Sequence, residues 1–160
     1  MNKTLRMLVS AIVILNCASL TDAQQQATVF PIGVLVSGSA STHKSRLDAF
    51  RQGLHELGYI EGKNVVLEFR YAEGKRERFA DLAAEMVRLK PDVIVVGSTG
   101  FTAAAKQATS TIPIVVGGAG DLVGNGLVAS LARPGGNVTG STNISPDLSG
   151  KRLELLLSFA

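Results

Sequence analysis

The fold is most clearly indicated by Ile32-Gly33-Val34-Leu35-Val36, followed directly by Ser37-Gly38-Ser39. A continuous apolar run rich in β-branched side chains is typical of a parallel strand that is covered on both faces. Apolar residues then recur at helical spacing from Leu47 to Leu57, and Gly58 ends that pattern as a C-terminal cap. These residues therefore predict a strand, a short polar loop and a helix.

The same alternation continues along the chain. It predicts four further strands, at Val65–Tyr71, Asp92–Val96, Ile112–Val116 and Val138–Thr142. Between and after them it predicts helices at Phe79–Leu89, Ala103–Ala108, Leu127–Leu131 and Lys151–Leu157. Strands that alternate with helices of this length require right-handed crossovers and a parallel sheet. The expected fold class is therefore α/β, a Rossmann-like three-layer sandwich around a five-stranded parallel sheet over residues 30–160.

The amino terminus has the three-part pattern of a secretory signal peptide. Lys3 and Arg6 precede an apolar stretch from Met7 to Leu20, and Ala23 offers a small residue for cleavage. That stretch falls short of the roughly 20 apolar residues that a membrane span needs. We expect residues 1–23 to be removed on export and residues 24–29 to form a flexible lead-in.

Cysteine and charge usage exclude several classes of protein. Cys17 is the only cysteine and lies inside the predicted signal peptide, so the exported chain must be held together by its core without a disulfide. A lipid anchor at Cys17 is disfavoured because Asn16 stands where such a site needs a small residue. The net charge is only +3 and aromatic residues make up 5% of the chain, so the basic stripes and stacking platforms of nucleic-acid binders are absent from the sequence.

Two short motifs suggest nucleotide binding but lack its requirements. Gly38–Ser45 matches the phosphate-binding P-loop except at His43, where that loop needs glycine. Gly124–Ala129 has a dinucleotide-type glycine pattern, but it lies several residues beyond its strand. No nucleophile elbow or metal-ligand spacing occurs in the sequence, so we expect no metal, no cofactor and no enzyme. Catalysis with Asp121 as a base remains the less favoured alternative.

Three loops follow predicted strands and share one composition: Ser37–Ser39, Gly97–Gly100 and Gly117–Asp121. Each combines glycines, which let a ligand approach the backbone, with polar groups near the start of a helix. Because the carboxyl ends of parallel strands meet at one edge of the sheet, these loops predict a site for a carboxylate or a polar head group. Ordinary helix capping is the alternative explanation for each loop.

Several stretches of the chain resemble one known family. The most specific is the run Gly126–Gly140, and others are Phe50–Leu54 with Leu57–Asn64, Leu82–Val87, Ala104–Thr109 and Thr111–Val115. Over Ile32–Leu157 the chain is similar to the ABC transporter substrate-binding proteins, the family that includes tryptophan- and tyrosine-binding periplasmic proteins.

This resemblance implies one lobe of a type I periplasmic-binding-protein fold. In that fold two Rossmann-like lobes close over a small solute and deliver it to an ABC permease in the inner membrane. By match to the family's loops, the expected ligand contacts are Ser37, Gly38, Ser39, Ser98, Thr99, Gly118 and Asp121. Hydroxyls and helix-start amides would take the carboxylate of an amino acid or similar solute, while Asp121 would orient an amine or cap the helix after it. Leu122 stands where similar sequences usually have proline.

The proteins of that family continue for another lobe. We therefore expect residues 30–160 to be the N-terminal lobe of a truncated product, and to bind solute weakly alone, since closure of two lobes is what buries a small ligand. One alternative is a stand-alone sensor or interaction domain that pairs with itself through the exposed cleft. The other is a small enzyme that uses Asp121 and the glycine loops.

Overall fold

The computed structural model of the chain describes residues 29–143 together with 154, 157 and 158. The predicted signal peptide, residues 1–23, and nearly all of the lead-in 24–29 lie outside these residues. Glu154 and Leu157 of the predicted last helix are helical, and the rest of that helix also lies outside. No helix among the described residues is long and apolar enough to cross a membrane.

Five strands form a single parallel sheet: β1 (Phe30–Val36), β2 (Val65–Tyr71), β3 (Val93–Val96), β4 (Ile114–Ala119) and β5 (Val138–Thr142). Three α-helices connect them, α1 (Lys44–Glu56), α2 (Phe79–Arg88) and α3 (Thr99–Ala108), and a short 3-10 helix at Arg76–Arg78 leads into α2. The strand order is β2-β1-β3-β4-β5. The predicted five-stranded parallel α/β class is confirmed.

Helices cover both faces of the sheet, which explains why its central strands are apolar throughout. The stripe of α1 (Leu47, Phe50 and Leu54) packs on one face against residues such as Val34 and Val36. On the opposite face α2 and α3 bury a larger cluster that includes Leu35, Met86, Ile94, Phe101 and Ile114. The second cluster forms the main core of the domain.

Two glycines allow close packing that a side chain would prevent. A Cβ at Gly33 of β1 would overlap the thioether of Met86, so this glycine lets α2 approach the sheet. Gly140 of β5 has a φ of +136°, and a Cβ there would overlap the backbone of Val116 in the neighbouring strand. Both positions therefore depend on glycine for a physical reason.

The predicted fourth helix at Leu127–Leu131 was wrong, since this segment consists of bends and irregular backbone after a turn at 122–126. Leu127 and Val128 are buried, as their apolar spacing suggested, but their N–H groups both donate to the carbonyl oxygen of Leu122, at 2.9 and 3.3 Å. The Lys106 ammonium donates to the carbonyl of Leu127 at 2.8 Å. The segment is therefore a packed, non-helical stretch whose backbone groups bond to distant parts of the chain.

The strand order creates a switch point between β1 and β3. From β1 the chain goes to β2 on one side, whereas it reaches β3 and β4 on the other, so the loops after β1 and β3 diverge. Ligands bind in the crevice that such diverging loops leave at the carboxyl edge of the sheet. On the face that carries α1, Gly117, Thr139 and Ser141 are exposed, and no helix among the described residues covers them.

Candidate ligand-binding site

A cleft of about 820 Å³ opens at this carboxyl edge. Four of the predicted ligand residues line it, namely Ser37, Ser98, Thr99 and Gly118. A second cavity of about 290 Å³ shares Ser37 and Gly118 with it and runs down between α1 and the sheet. The loops after β1, β3 and β4 thus meet at one edge of the sheet, beside these two neighbouring cavities.

The start of α3 presents free backbone donors to this cleft. Ser98 is the N-cap residue, with extended backbone, and its Oγ accepts from the N–H of Phe101 at 3.3 Å. The N–H groups of Thr99 and Gly100 have no acceptor among the described residues, because the first turn of a helix lacks intrahelical partners. Unpaired amides and the positive end of the helix dipole together make a site for an anion.

Hydrogen bonds join the start of α3, the loop after β4 and the end of β5. The Oγ1 of Thr99 accepts from the N–H of Gly120 at 3.1 Å, which ties α3 to the loop after β4. The hydroxyl of Thr142 donates to the carbonyl of Gly120 at 2.8 Å, and the N–H of Asn143 donates to Ala119 at 2.8 Å. The loop after β4 is therefore held from both sides, by α3 and by the end of β5.

Of the three predicted ligand residues in the loop after β1, one lines the cleft and two do not. Ser37 is half-buried and lines both cavities. The Oγ of Ser39 lies 2.9 Å from the Oγ of Ser41 and accepts from the N–H of Thr42 at 3.2 Å, so its hydroxyl is used within its own turn. Neither Gly38 nor Ser39 lines the two cavities at the carboxyl edge. The role of these two residues stays a prediction that this geometry does not favour.

Asp121 also points away from the cleft. Its Oδ1 accepts from the N–H of Gly124 at 2.8 Å, and its backbone carbonyl accepts from the Asn125 amide. This is the geometry of an aspartate that stabilises a turn. Of the two roles that the resemblance implied for Asp121, the structure places it in capping, although it caps a turn and not a helix.

Residues 31–158 match the family described as ABC transporter substrate binding protein. The chain belongs to the ABC transporter substrate-binding protein family. The resemblance that the sequence suggested is thereby confirmed. The family is one of substrate-binding proteins and not of enzymes, and its members are typically periplasmic or extracellular.

Known proteins support this assignment over part of their length. A tyrosine-binding protein of Clostridioides difficile (strain R20291) is 38% identical over 108 residues, which are 67% of this chain and 30% of that protein. A conserved domain protein from Vibrio cholerae O1 biovar El Tor matches with a TM-score of 0.71 and 32% identity, over 79% of this chain and 43% of that one. An ABC domain from Streptococcus pneumoniae in complex with L-Trp matches with a TM-score of 0.66 and 30% identity, over 72% and 39%. The chain thus spans less than half the length of each of these proteins.

Sequence reasoning missed three residues that line the cleft of this substrate-binding protein. Arg76 is exposed and is the one charged side chain among the described residues that line it. Phe79 forms an aromatic wall and stacks on Phe101, with ring centroids 4.0 Å apart. Asn143 lies beside Gly118, whose carbonyl accepts from its amide at 3.4 Å. Arg76 belongs to the charged stretch Glu73–Arg78, a composition that by itself indicates only a solvated surface.

Arg76 reaches the cleft through backbone contacts between distant segments. The carbonyl of Ser37 accepts from the N–H of Gly74 at 2.8 Å, and that of Gly38 accepts from Glu73 at 3.3 Å. These bonds fix the turn after β2 against the loop after β1 and so bring the following residues to the cleft. No group of His, Cys, Asp and Glu within the described part of the chain could hold a metal ion.

Proposed function

We propose that this chain provides one wall of the solute site of an ABC import system in the periplasm, and that the solute is an amino acid or a similar small carboxylate. The observation that carries the proposal is a pair of N–H groups at the start of α3, those of Thr99 and Gly100, which have no partner in the described part of the chain. They border a cleft whose one charged lining residue, among those described, is Arg76. This arrangement favours a negatively charged group.

The cleft offers a place for each part of an amino acid. A carboxylate in front of α3 would accept from the two amides, with Arg76 adding positive charge from the side of α2. The ring of Phe79 supplies an apolar surface for the solute's side chain. Ser37 and Asn143 supply polar groups for hydrogen bonds. The names of the relatives, a tyrosine-binding protein and a complex with L-Trp, support an aromatic amino acid as the first solute to test.

We further propose that a second lobe completes the site, since the similar proteins are more than twice as long as the part that matches. A well-formed site buries about 70–90% of the surface of its ligand. An open cleft on one lobe leaves a larger part of that surface in water. The 160-residue chain alone should then bind its solute in the millimolar range. Residues 1–23 would direct its export, and an ABC permease would be its partner.

Nuclear magnetic resonance titration of the ¹⁵N-labelled chain tests this proposal at low affinity. L-Tyrosine should shift the amide resonances of Thr99, Gly100 and Gly118 progressively. Tyramine, which has the same ring and amine but no carboxylate, is the matched control and should leave the Thr99 and Gly100 resonances unmoved. Equal shifts with tyramine would contradict carboxylate binding at α3, and micromolar affinity in a monomer would contradict the one-wall account.

A further inference from the structure

Strand β2 has one unpaired edge within the part of the chain that the structure describes. The backbone groups of its even-numbered residues face β1, as the Phe30 to Asn64 and Ala72 to Val36 hydrogen bonds show. The odd-numbered residues therefore direct their N–H and C=O groups outward. The N–H and C=O groups of Val65 bond to the preceding loop. The outward-facing backbone groups of Leu67, Phe69 and Tyr71 therefore remain along the open edge.

The side chains along this edge divide by chemistry between the two faces of the sheet. Leu67, Phe69 and Tyr71 lie on the face of α1, with the rings of Phe69 and Tyr71 stacked at 6.0 Å. Glu68 and Arg70 lie on the opposite face, where the guanidinium of Arg70 is 3.6 Å from the carboxylate of Glu68. Arg70 also donates to the carbonyl of Phe69 at 2.8 Å, which leaves that oxygen one free lone pair.

We propose that β2 joins β2 of a second copy of this chain, antiparallel and related by a two-fold axis at Phe69. In this arrangement Phe69 faces Phe69 of the second copy, and Leu67 faces Tyr71. Each of these three residues donates one hydrogen bond and accepts one, because all three have outward-facing backbone groups. The two five-stranded sheets then form one continuous sheet.

The charges on β2 select this register. With the axis at Phe69, Glu68 of each copy lies opposite Arg70 of the other, so two ion pairs form across the strands. With the axis at Glu68, two carboxylates lie opposite each other, and with the axis at Arg70, two guanidinium groups do. The strand is thus complementary to itself in one register and repulsive in the two neighbouring ones.

A second copy fits this edge better than an unrelated strand does, because the complementarity is symmetric, as a two-fold interface requires. An exposed strand edge otherwise invites non-specific pairing. The edge is separate from the cleft, because none of Leu67, Phe69 and Tyr71 lines the cleft. Dimer formation through β2 therefore leaves the cleft open, unlike the self-association through the cleft that the sequence suggested as an alternative.

Charge reversal tests this interface with variants that complement each other. Analytical ultracentrifugation of the chain across the micromolar range should show a monomer–dimer equilibrium. In a dimer of E68R, arginine at position 68 of each copy lies opposite Arg70 of the other. In a dimer of R70E, Glu68 of each copy lies opposite glutamate at position 70. Each substitution should therefore raise the dimer dissociation constant about tenfold or more. An equimolar mixture of the two variants restores both opposite-charge pairs and should form a heterodimer of native affinity. E85R is the matched control, because Glu85 contacts Arg70 at 3.6 Å but lies on α2.

Hydrogen exchange locates the contact and separates the other possible occupants of the edge. The amides of Leu67, Phe69 and Tyr71 should gain protection as the protein concentration rises. A monomer throughout the micromolar range would overturn the proposal, and so would a dimer that responds equally to E68R and E85R. Protection of these three amides in a dilute monomer would also overturn it, because another segment of the same chain would then cover β2.

Discussion

Replacing Phe101 by alanine should destabilise the domain more than any surface change near the cleft. Phe101 is fully buried between α2 and α3, and its ring stacks on Phe79 with centroids 4.0 Å apart and planes at 19°. Truncating a buried phenylalanine costs about 3–5 kcal/mol in free energy of unfolding. Phe79 is only half-buried, so F79A should cost about 1–2 kcal/mol.

The double variant F79A/F101A separates ring stacking from simple burial. If the two rings stabilise each other, its cost should fall short of the sum of the single costs by about 0.5–1.5 kcal/mol. Urea unfolding followed by far-ultraviolet circular dichroism is the suitable assay, because the chain has no tryptophan. The milder variant F101L keeps the comparison measurable if F101A does not fold. Strict additivity, or a cost below about 1 kcal/mol for F101A, would refute the packing described here.

Three further variants test other contacts by thermal or urea unfolding. S98A removes the N-cap of α3 and should cost about 1 kcal/mol, so an unchanged midpoint would argue against the cap. G140A should abolish or severely weaken folding because its Cβ would overlap the Val116 backbone, and native-like stability would contradict the close approach of β4 and β5. D121A should lower stability by about 1 kcal/mol through loss of the bond to the Gly124 N–H, with unchanged solute binding; a large loss of binding would restore Asp121 to the site.

Local hydrophobic patterns in the sequence predicted the strands. This was possible because helices cover both faces of the central strands, whose residues are therefore apolar throughout. Strand order is not a local property, so the open edge of β2 could not be predicted. The segment Leu127–Leu131 misled the prediction for a related reason. Its burial was encoded locally, whereas the carbonyl of Leu127 is bonded by the Lys106 ammonium, which is 21 residues away in the sequence.

The candidate site was predictable where its residues directly follow a strand. Ser98 and Thr99 come straight after β3, and their position at the start of a helix follows from spacing alone. Arg76 and Phe79 do not follow a strand in this way. They reach the cleft because the turn after β2 bonds to the carbonyls of Ser37 and Gly38, and no periodicity reports such a contact.

A matched pair of substitutions at Thr99 can show whether the amides of α3 hold a carboxylate. Proline is compatible with the first position of a helix and removes only the N–H there, so T99P and T99V both lose the hydroxyl but only T99P loses the amide. L-Tyrosine affinity of the two variants should be measured by nuclear magnetic resonance titration, with circular dichroism to confirm equal folding. The account predicts that T99P binds about tenfold more weakly than T99V. Equal affinities would contradict a carboxylate site at the start of α3.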